Sequence, residues 1–174
     1  EDVVLAKRVS PEDVAAVVIE PILGEGGYVV PPAGFFPSLR ALCDKYGIHL
    51  IADEIAVGMG RTGTMFACEQ AAITPDFLCL SKGLSGGYLP LSVVMTTDEI
   101  YQAFYDDDLT RGFLHSHSFT GNPLACQAAL ATLDIFVRDD VLAANRRKAA
   151  YLNERLQPLQ GHPAINNFRN TGMI

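Results

Sequence analysis

Short, nearly unbroken apolar runs recur along this chain of 174 residues, and they constrain its fold more than any other feature of the sequence. The runs lie at residues 15–22, 48–52, 77–80 and 91–95, and segments rich in glycine, proline or charge separate them. Segments this short and apolar on both faces are typical of strands buried in the interior of a parallel sheet. We therefore predict one strand in each run.

Helical patterns fill the spaces between these runs. Apolar residues at positions 39–46 recur with the i, i+3, i+4, i+7 spacing of an amphipathic helix, which we expect after a loop at 31–37 and before a stop at Gly47. Shorter helices are predicted around residues 66–72 and 97–105. Strands that alternate with helices in this way indicate an α/β fold whose mostly parallel sheet is flanked by helices.

The pattern changes in the last third of the chain. Pro123 can occupy the first position of a helix, and the alanine-rich stretch after it predicts a helix to residue 137. We expect Asp139 to cap a second helix. The chain is therefore divided into a large α/β domain, residues 1–125, and linking helices that lead into a smaller domain, residues 126–174.

Charge and composition argue against several classes of partner. The chain has 13 Lys+Arg against 20 Asp+Glu, a net charge of −7, whereas a nucleic-acid binder needs a basic surface to release counterions. No apolar run approaches the roughly 18 residues of a membrane-spanning helix. The four cysteines form no CxxC pair, as expected of reduced thiols in a cytoplasmic protein. Because the chain does not begin with Met, we expect an internal segment of a longer protein.

Two ionisable residues follow neighbouring predicted strands: Asp53 follows the run at 48–52, and Lys82 follows the run at 77–80. Open α/β sheets bind ligands beyond the carboxyl ends of their strands. A lysine held in apolar surroundings has its ammonium form disfavoured and becomes a nucleophile that forms Schiff bases. An aspartate beside it can hold a protonated ring nitrogen, and pyridoxal phosphate chemistry needs this pair. An exposed lysine beside an aspartate that caps a loop remains the alternative.

Other polar clusters allow more than one interpretation. The GMGRTG stretch at 58–63 matches a dinucleotide fingerprint, but acidic residues precede it, so a structural turn with positive φ angles is favoured. His115 and His117 lack a nearby third metal ligand, so we predict no metal site; the hydroxyls around them suit either a phosphate or a capped helix start. Glu20 ends an apolar run and should find a partner in the site, whereas Glu25 should be solvated.

Six stretches of the sequence, in this order and at this spacing, resemble the class III pyridoxal-phosphate aminotransferases of fold type I: VIEPI at 18–22, LIADEI at 50–55, GMGRTG at 58–63, PD at 75–76, LSKG at 80–83 and SFTGNP at 118–123. The resemblance implies that Lys82 carries the cofactor covalently and that Asp53 pairs with its pyridine nitrogen. It also implies that Ile55 packs against the ring and that Ser118 offers its hydroxyl to the phosphate of the neighbouring subunit's cofactor. Phe119 and Glu20 complete the implied cofactor-binding set.

The resemblance further implies a homodimer with sites at the subunit interface, which moves an amino group from a small-molecule donor to a keto acceptor. The stretches DEIA at 53–56, FACE at 66–69 and GNPLAC at 121–126 are most similar to the branch that serves biotin synthesis, with S-adenosylmethionine or lysine as donor. Glu25 instead points to 4-aminobutyrate-type enzymes, so another omega-aminotransferase remains open. The family's phosphate loop, stacking aromatic and substrate arginine lie outside residues 1–174, so this segment alone should hold the cofactor poorly.

Two further functions are possible from the residues alone. A nicotinamide-dependent oxidoreductase would use the glycine-rich loop at 58–63 to bind its cofactor. A non-catalytic α/β module would need no reactive lysine.

Overall fold

A four-stranded mixed sheet forms the centre of the computed structural model, which describes residues 3–174. Its strands are β1 (Ala16–Ile19), β2 (His49–Asp53), β3 (Phe77–Leu80) and β4 (Val93–Thr96), and they lie side by side in sequence order. Strands β1, β2 and β3 are parallel, whereas β4 is antiparallel to β3. The predicted α/β fold with a mostly parallel sheet is therefore confirmed.

The α-helices of the described residues are α1 (Phe35–Tyr46), α2 (Asp98–Gln102), α3 (Pro123–Arg138) and α4 (Val141–Leu156), and α1 packs against β2. Short 3-10 turns lie between the longer elements, at Pro11–Asp13, Ala67–Ala71, Lys82–Ser85, Leu109–Arg111 and Gln157–Leu159. No helix of the described part of the chain is long and apolar enough to cross a membrane.

Several element boundaries differ from the predicted ones. Helix α1 begins at Phe35, so Pro37 lies in its first turn, where a missing N–H removes no helical hydrogen bond. Asp139 does not cap α4: it ends α3, and its carboxylate pairs with Arg138 at 2.7 Å. The residue before α4 is Asp140, whose side chain makes no capping bond. Helix α2 also stops at Gln102, short of the predicted residue 105.

Packing on the two faces of the sheet orients the residues at its carboxyl edge. Along β2, Leu50 and Ala52 are buried, whereas Ile51 and Asp53 are only partly buried, because successive side chains point to opposite faces.

Helix α3 packs against the Lys82–Ser85 turn, so it continues the packing of the large domain. The division of the chain at residue 126 stays a prediction.

Candidate functional site

Asp53 and Lys82 lie at the same edge of the sheet. Asp53 is the last residue of β2 and pairs in register with Cys79 of β3, and Lys82 begins the turn that follows β3. The amide of Glu54 donates to the carbonyl oxygen of Cys79 at 3.0 Å, so the two strand ends stay joined just beyond the pair. The structure therefore places both predicted residues where parallel strands of an open sheet offer a ligand site.

The carboxylate of Asp53 is held in one orientation by its own chain. Its Oδ1 accepts a hydrogen bond from the amide of Ile55 at 3.0 Å, and the side chain is partly buried. Within residues 3–174, Oδ2 has no hydrogen-bond partner. One oxygen thus fixes the rotamer while the other remains able to accept a proton donor from a ligand.

Lys82 differs from its prediction in one respect. The sequence suggested an amine withdrawn from water, but Lys82 is exposed in the structure. Lys82 and Gly83 at the start of its 3-10 turn are exposed, whereas Leu84 and Ser85 at the end of the turn are buried. Its backbone has φ +44°, in the left-handed region that non-glycine residues seldom adopt. Strain of this kind clusters at functional sites, which makes Lys82 a candidate on grounds independent of burial.

Glu20 and Glu25 lie on the loop after β1. The Oε2 of Glu20 accepts a hydrogen bond from the amide of Gly24 at 2.9 Å, so its partner is the backbone of its own loop. Glu25 is exposed, as expected.

Ser118 and Phe119 lie in an exposed turn before α3. The amide of Phe119 donates to Nδ1 of His117 at 3.1 Å, and Oδ1 of Asn122 accepts the amides of Leu124 and Ala125. The capped helix start is therefore present, and these two helix amides are already used. No hydrogen bond joins Ser118 or Phe119 to Asp53 or Lys82 within the described residues. A phosphate-binding role for Ser118 stays a prediction.

The same described residues contain no group of three or more His, Cys, Asp or Glu side chains that could hold a metal ion.

The glycine-rich loop at 58–63 is a structural turn, as the sequence favoured. Met59, Gly60 and Gly63 all have positive φ angles. The amides of these glycines already donate hydrogen bonds to nearby backbone carbonyl oxygens: Gly58 donates to Glu54, Gly60 to Met65 and Gly63 to Gly60. A dinucleotide site needs such amides free for a pyrophosphate, so this geometry argues against the oxidoreductase alternative.

The carbonyl oxygens of the same loop face α4. Asn145 donates to Gly60 at 3.4 Å, and Arg146 donates to Gly63 at 3.1 Å. Gly60 has φ +80°, so any other residue there would be strained, and its Cβ would lie 2.9 Å from Cδ2 of Leu142 of α4 and would displace that side chain.

Sequence reasoning missed Glu54. It is 1% exposed, and its carboxylate accepts hydrogen bonds from the amides of Ala67 and Cys68. The available signal was its two-residue spacing from Ala52 on the buried face of β2.

A cavity of about 270 Å³ is lined by residues of the segment that follows β1, of the loop before α1 and of the Ala67–Ala71 turn. It is lined mainly by apolar residues, among them Pro21, Ile22, Phe36 and Ala67. None of the predicted site residues lines it.

The chemistry of the strand-end residues fits pyridoxal phosphate. A primary amine can bind a carbonyl carbon covalently, and a carboxylate with a free oxygen can hold a protonated ring nitrogen. Lys82 and Asp53 supply these groups on adjacent strands, and Ile55 adds a partly buried apolar side chain next to Asp53.

Comparisons with known proteins agree with this chemistry. A family model described as class III aminotransferase matches residues 1–174. Three curated relatives named adenosylmethionine-8-amino-7-oxononanoate aminotransferase are each 46% identical to this chain. The alignment covers 93% of this chain and 30% of the protein from Nitratidesulfovibrio vulgaris, 93% and 36% for Geobacter sulfurreducens, and 94% and 39% for Helicobacter pylori. The chain therefore spans between 30% and 39% of the length of these relatives.

Solved structures show the same fold. An (S)-enantioselective omega-transaminase from Thermomicrobium roseum has a TM-score of 0.87 at 38% identity, covering 94% of this chain and 36% of that one. An amine transaminase from an uncultivated Pseudomonas species, solved in the PLP-bound form, has a TM-score of 0.87 at 38% identity, covering 94% and 37%. Since the family model matches along the whole sequence and these transaminases share its fold, the chain belongs to the class III aminotransferases.

Proposed function

We propose that the full-length protein is a pyridoxal-phosphate-dependent aminotransferase that converts 8-amino-7-oxononanoate to 7,8-diaminononanoate in biotin synthesis, with S-adenosylmethionine or lysine as amino donor. The observation that carries the proposal is the placement of Asp53 and Lys82 on adjacent strand ends. The names of the three relatives at 46% identity support this choice of substrate. The cytoplasm is the proposed compartment, and the free state of the four cysteines is consistent with it.

Each candidate residue has a defined task in this proposal. When bound, pyridoxal phosphate supplies an electron sink for the electron pair left on a substrate carbon after a proton leaves. The Nζ of Lys82 anchors the cofactor and, once free, carries that proton. The carboxylate of Asp53 keeps the ring nitrogen protonated by accepting its N–H, and Ile55 packs on the ring. Ser118 donates its hydroxyl to a phosphate, with Phe119 beside it and Glu20 at the edge of the site.

A homodimer is the proposed assembly. Large apolar side chains of residues 101–124 are strongly exposed, among them Tyr105 at 70%, Leu109 at 80%, Phe113 at 70%, Leu114 at 80% and Phe119 at 74%. So much exposed apolar surface in one segment is typical of an interface with another chain or another part of the same protein. Because Ser118 belongs to this segment, a second subunit covering it would bring the hydroxyl to the partner's cofactor.

Another class III omega-aminotransferase is the second candidate. The omega-transaminase and amine transaminase structures at 38% identity favour it, and so does the exposed Glu25, which the sequence resemblance associates with 4-aminobutyrate-type enzymes. Assaying the full-length protein with 8-amino-7-oxononanoate, and separately with 4-aminobutyrate, β-alanine or a diamine plus pyruvate, distinguishes the two. Turnover of 8-amino-7-oxononanoate with S-adenosylmethionine or lysine also identifies the donor.

Substituting Lys82 tests the cofactor role directly. We expect borohydride to fix the cofactor to the full-length wild type as a secondary amine that survives denaturation, and to leave none fixed to Lys82→Ala, because no other group would bind the cofactor covalently. Lys148→Ala, on the exposed surface of α4, is the matched control and should keep the fixed cofactor. Cofactor that stays attached to denatured Lys82→Ala after reduction would contradict the proposal. Binding of a nicotinamide cofactor, followed by fluorescence, would instead support the oxidoreductase alternative.

A further inference from the structure

Glu54 directly follows Asp53, and its carboxylate is buried without a cation. Its Oε2 accepts the amide of Ala67 at 2.6 Å, and its Oε1 accepts the amide of Cys68 at 2.8 Å. No Lys, Arg or His among residues 3–174 forms an ion pair with it. Burying a carboxylate is costly, and these two charge-assisted hydrogen bonds offset part of that cost. An apolar side chain would be buried more cheaply, so packing alone does not explain a glutamate here.

The backbone of Glu54 is anchored as firmly as its side chain. Its N–H donates to the carbonyl oxygen of Cys79 on β3 at 3.0 Å, and its own carbonyl oxygen accepts the amide of Gly58 at 2.9 Å. A Cβ added at Gly58 would lie 2.8 Å from that carbonyl oxygen, so glycine permits the contact. Residue 54 is therefore joined to β3, to the glycine-rich loop and to the Ala67–Ala71 turn.

These anchors act on the candidate site through the residues on either side of Glu54. The carboxylate of Asp53 takes its orientation from the amide of Ile55, which lies on the far side of Glu54 in the chain. A displacement of residue 54 moves that amide and turns the Asp53 carboxylate with it. We propose that Glu54 is a positioning residue: by binding the Ala67–Ala71 turn from within the core, it fixes the Asp53 carboxylate toward the ring nitrogen of the cofactor. The cofactor part of this inference rests on the proposed function.

The test replaces the acid by its amide in the full-length protein. In Glu54→Gln, one end of the side chain becomes a donor and opposes one of the two backbone amides, so one hydrogen bond is lost. We expect the amide of Ile55 in the apoprotein to exchange its hydrogen about tenfold faster, and the dissociation constant for pyridoxal phosphate to rise about tenfold. The ¹⁵N shift of the labelled pyridine nitrogen should move toward its unprotonated value.

Glu69→Gln is the matched control, because it changes another acid on the same turn without touching the strand end. The exposed Glu69 accepts the amide of Phe66 at 2.7 Å from the solvent side. We expect this variant to leave the exchange of the Ile55 amide and the ring-nitrogen signal at their wild-type values. If Glu54→Gln gives the same Ile55 exchange and the same nitrogen signal as Glu69→Gln, Glu54 has only a structural role and the inference is overturned.

A second variant applies if Glu54→Gln does not fold. Glu54→Asp keeps the acid but shortens the side chain by one methylene, so its carboxylate no longer reaches both the Ala67 and the Cys68 amides. Faster exchange at Ile55 supports the inference, and unchanged exchange refutes it. Absence of pyridoxal phosphate binding by the wild type would refute the proposed function, whereas the Ile55 measurement would still test the positioning of Asp53.

Discussion

At the scale of single residues, we expect the left-handed backbone of Lys82 to lower the stability of the protein, while its amine serves the proposed function. A non-glycine residue at φ +44° is strained, and glycine relieves that strain. We expect Lys82→Gly to be more stable than Lys82→Ala by on the order of 1 kcal/mol, measured by urea denaturation, although both lack the reactive amine. Equal stability of the two variants would show that the backbone at this position is unstrained.

Because of the thiol of Cys68, we expect the free energy of unfolding to depend on pH. Burial, and then the negative charge of Glu54, raise the pKa of Cys68 to about 12. In the unfolded chain the thiol ionises near 9.0, so between these pH values the unfolded state has lost a proton that the folded state keeps. Stability from this group is complete below pH 9 and falls as the pH rises toward 12.

We therefore expect wild type to lose about 1 kcal/mol more stability than Cys68→Ala between pH 8 and pH 10. Urea denaturation in reducing buffer at both pH values measures the difference, and other titrating groups cancel in the comparison. Parallel stability curves for the two proteins would show that the thiol ionises equally in both states.

At the scale of elements, Asp76 joins the start of β3 to β2 and to α1. It immediately precedes β3, and its Oδ2 accepts the amide of Leu50 in β2 at 2.6 Å and the guanidinium of Arg40 in α1 at 2.8 Å. Partial burial opposes ionisation, but these two donors outweigh it and hold the pKa of Asp76 below its usual value. The stability it contributes is present above pH 4 and is lost as the pH falls through the folded-state pKa.

We expect Asp76→Asn to lower the free energy of unfolding by about 1–3 kcal/mol at pH 7, and by less as the pH approaches 3. Asp44→Asn is the control: Asp44 also pairs with Arg40 at 2.8 Å, but its side chain is 65% exposed, so its removal should cost almost nothing. A similar loss in both variants, measured by chemical denaturation, would mean that the position of Asp76 between the strands is unimportant.

The sequence predicts an element well where the neighbouring residues determine it, and poorly where contacts with other parts of the fold determine it. The run at 77–80 coincides with β3, because a short apolar segment between polar residues leaves few alternatives to a buried strand. The predicted cap of α4 was wrong because Asp139 ends α3 and pairs with Arg138, and Asp140, which precedes α4, makes no capping bond. The exposure of Lys82 is set by the 3-10 turn that begins there, and the burial of Glu54 depends on a turn 13 residues away. Local spacing predicts neither turn; for Glu54 it gives only the two-residue spacing from Ala52 on the buried face of β2.

At the scale of the whole molecule, the exposed segment at residues 101–124 raises the question of which subunit uses Ser118. The resemblance implies that Ser118 serves the neighbouring subunit, and its exposure leaves the hydroxyl free to do so. Each site would then combine Lys82 of one subunit with Ser118 of the other. A dimer with sites built within single subunits would pair both residues from the same chain.

Hybrid dimers of the full-length protein separate these arrangements. Suppose that one subunit carries Lys82→Ala and the other carries Ser118→Ala. With shared sites, one site collects both substitutions and the other is intact, so the hybrid keeps about half of the wild-type visible band at wild-type affinity. With sites inside single subunits, every site is damaged, and no band with wild-type affinity forms. The hybrids are purified through a different tag on each subunit and then titrated with pyridoxal phosphate, which distinguishes the two results. The Ser118→Ala homodimer supplies the reference for weak affinity. Loss of the tight-binding half in the hybrid would assign Ser118 to its own subunit's site, whereas wild-type affinity in the Ser118→Ala homodimer would mean that Ser118 contributes to neither site.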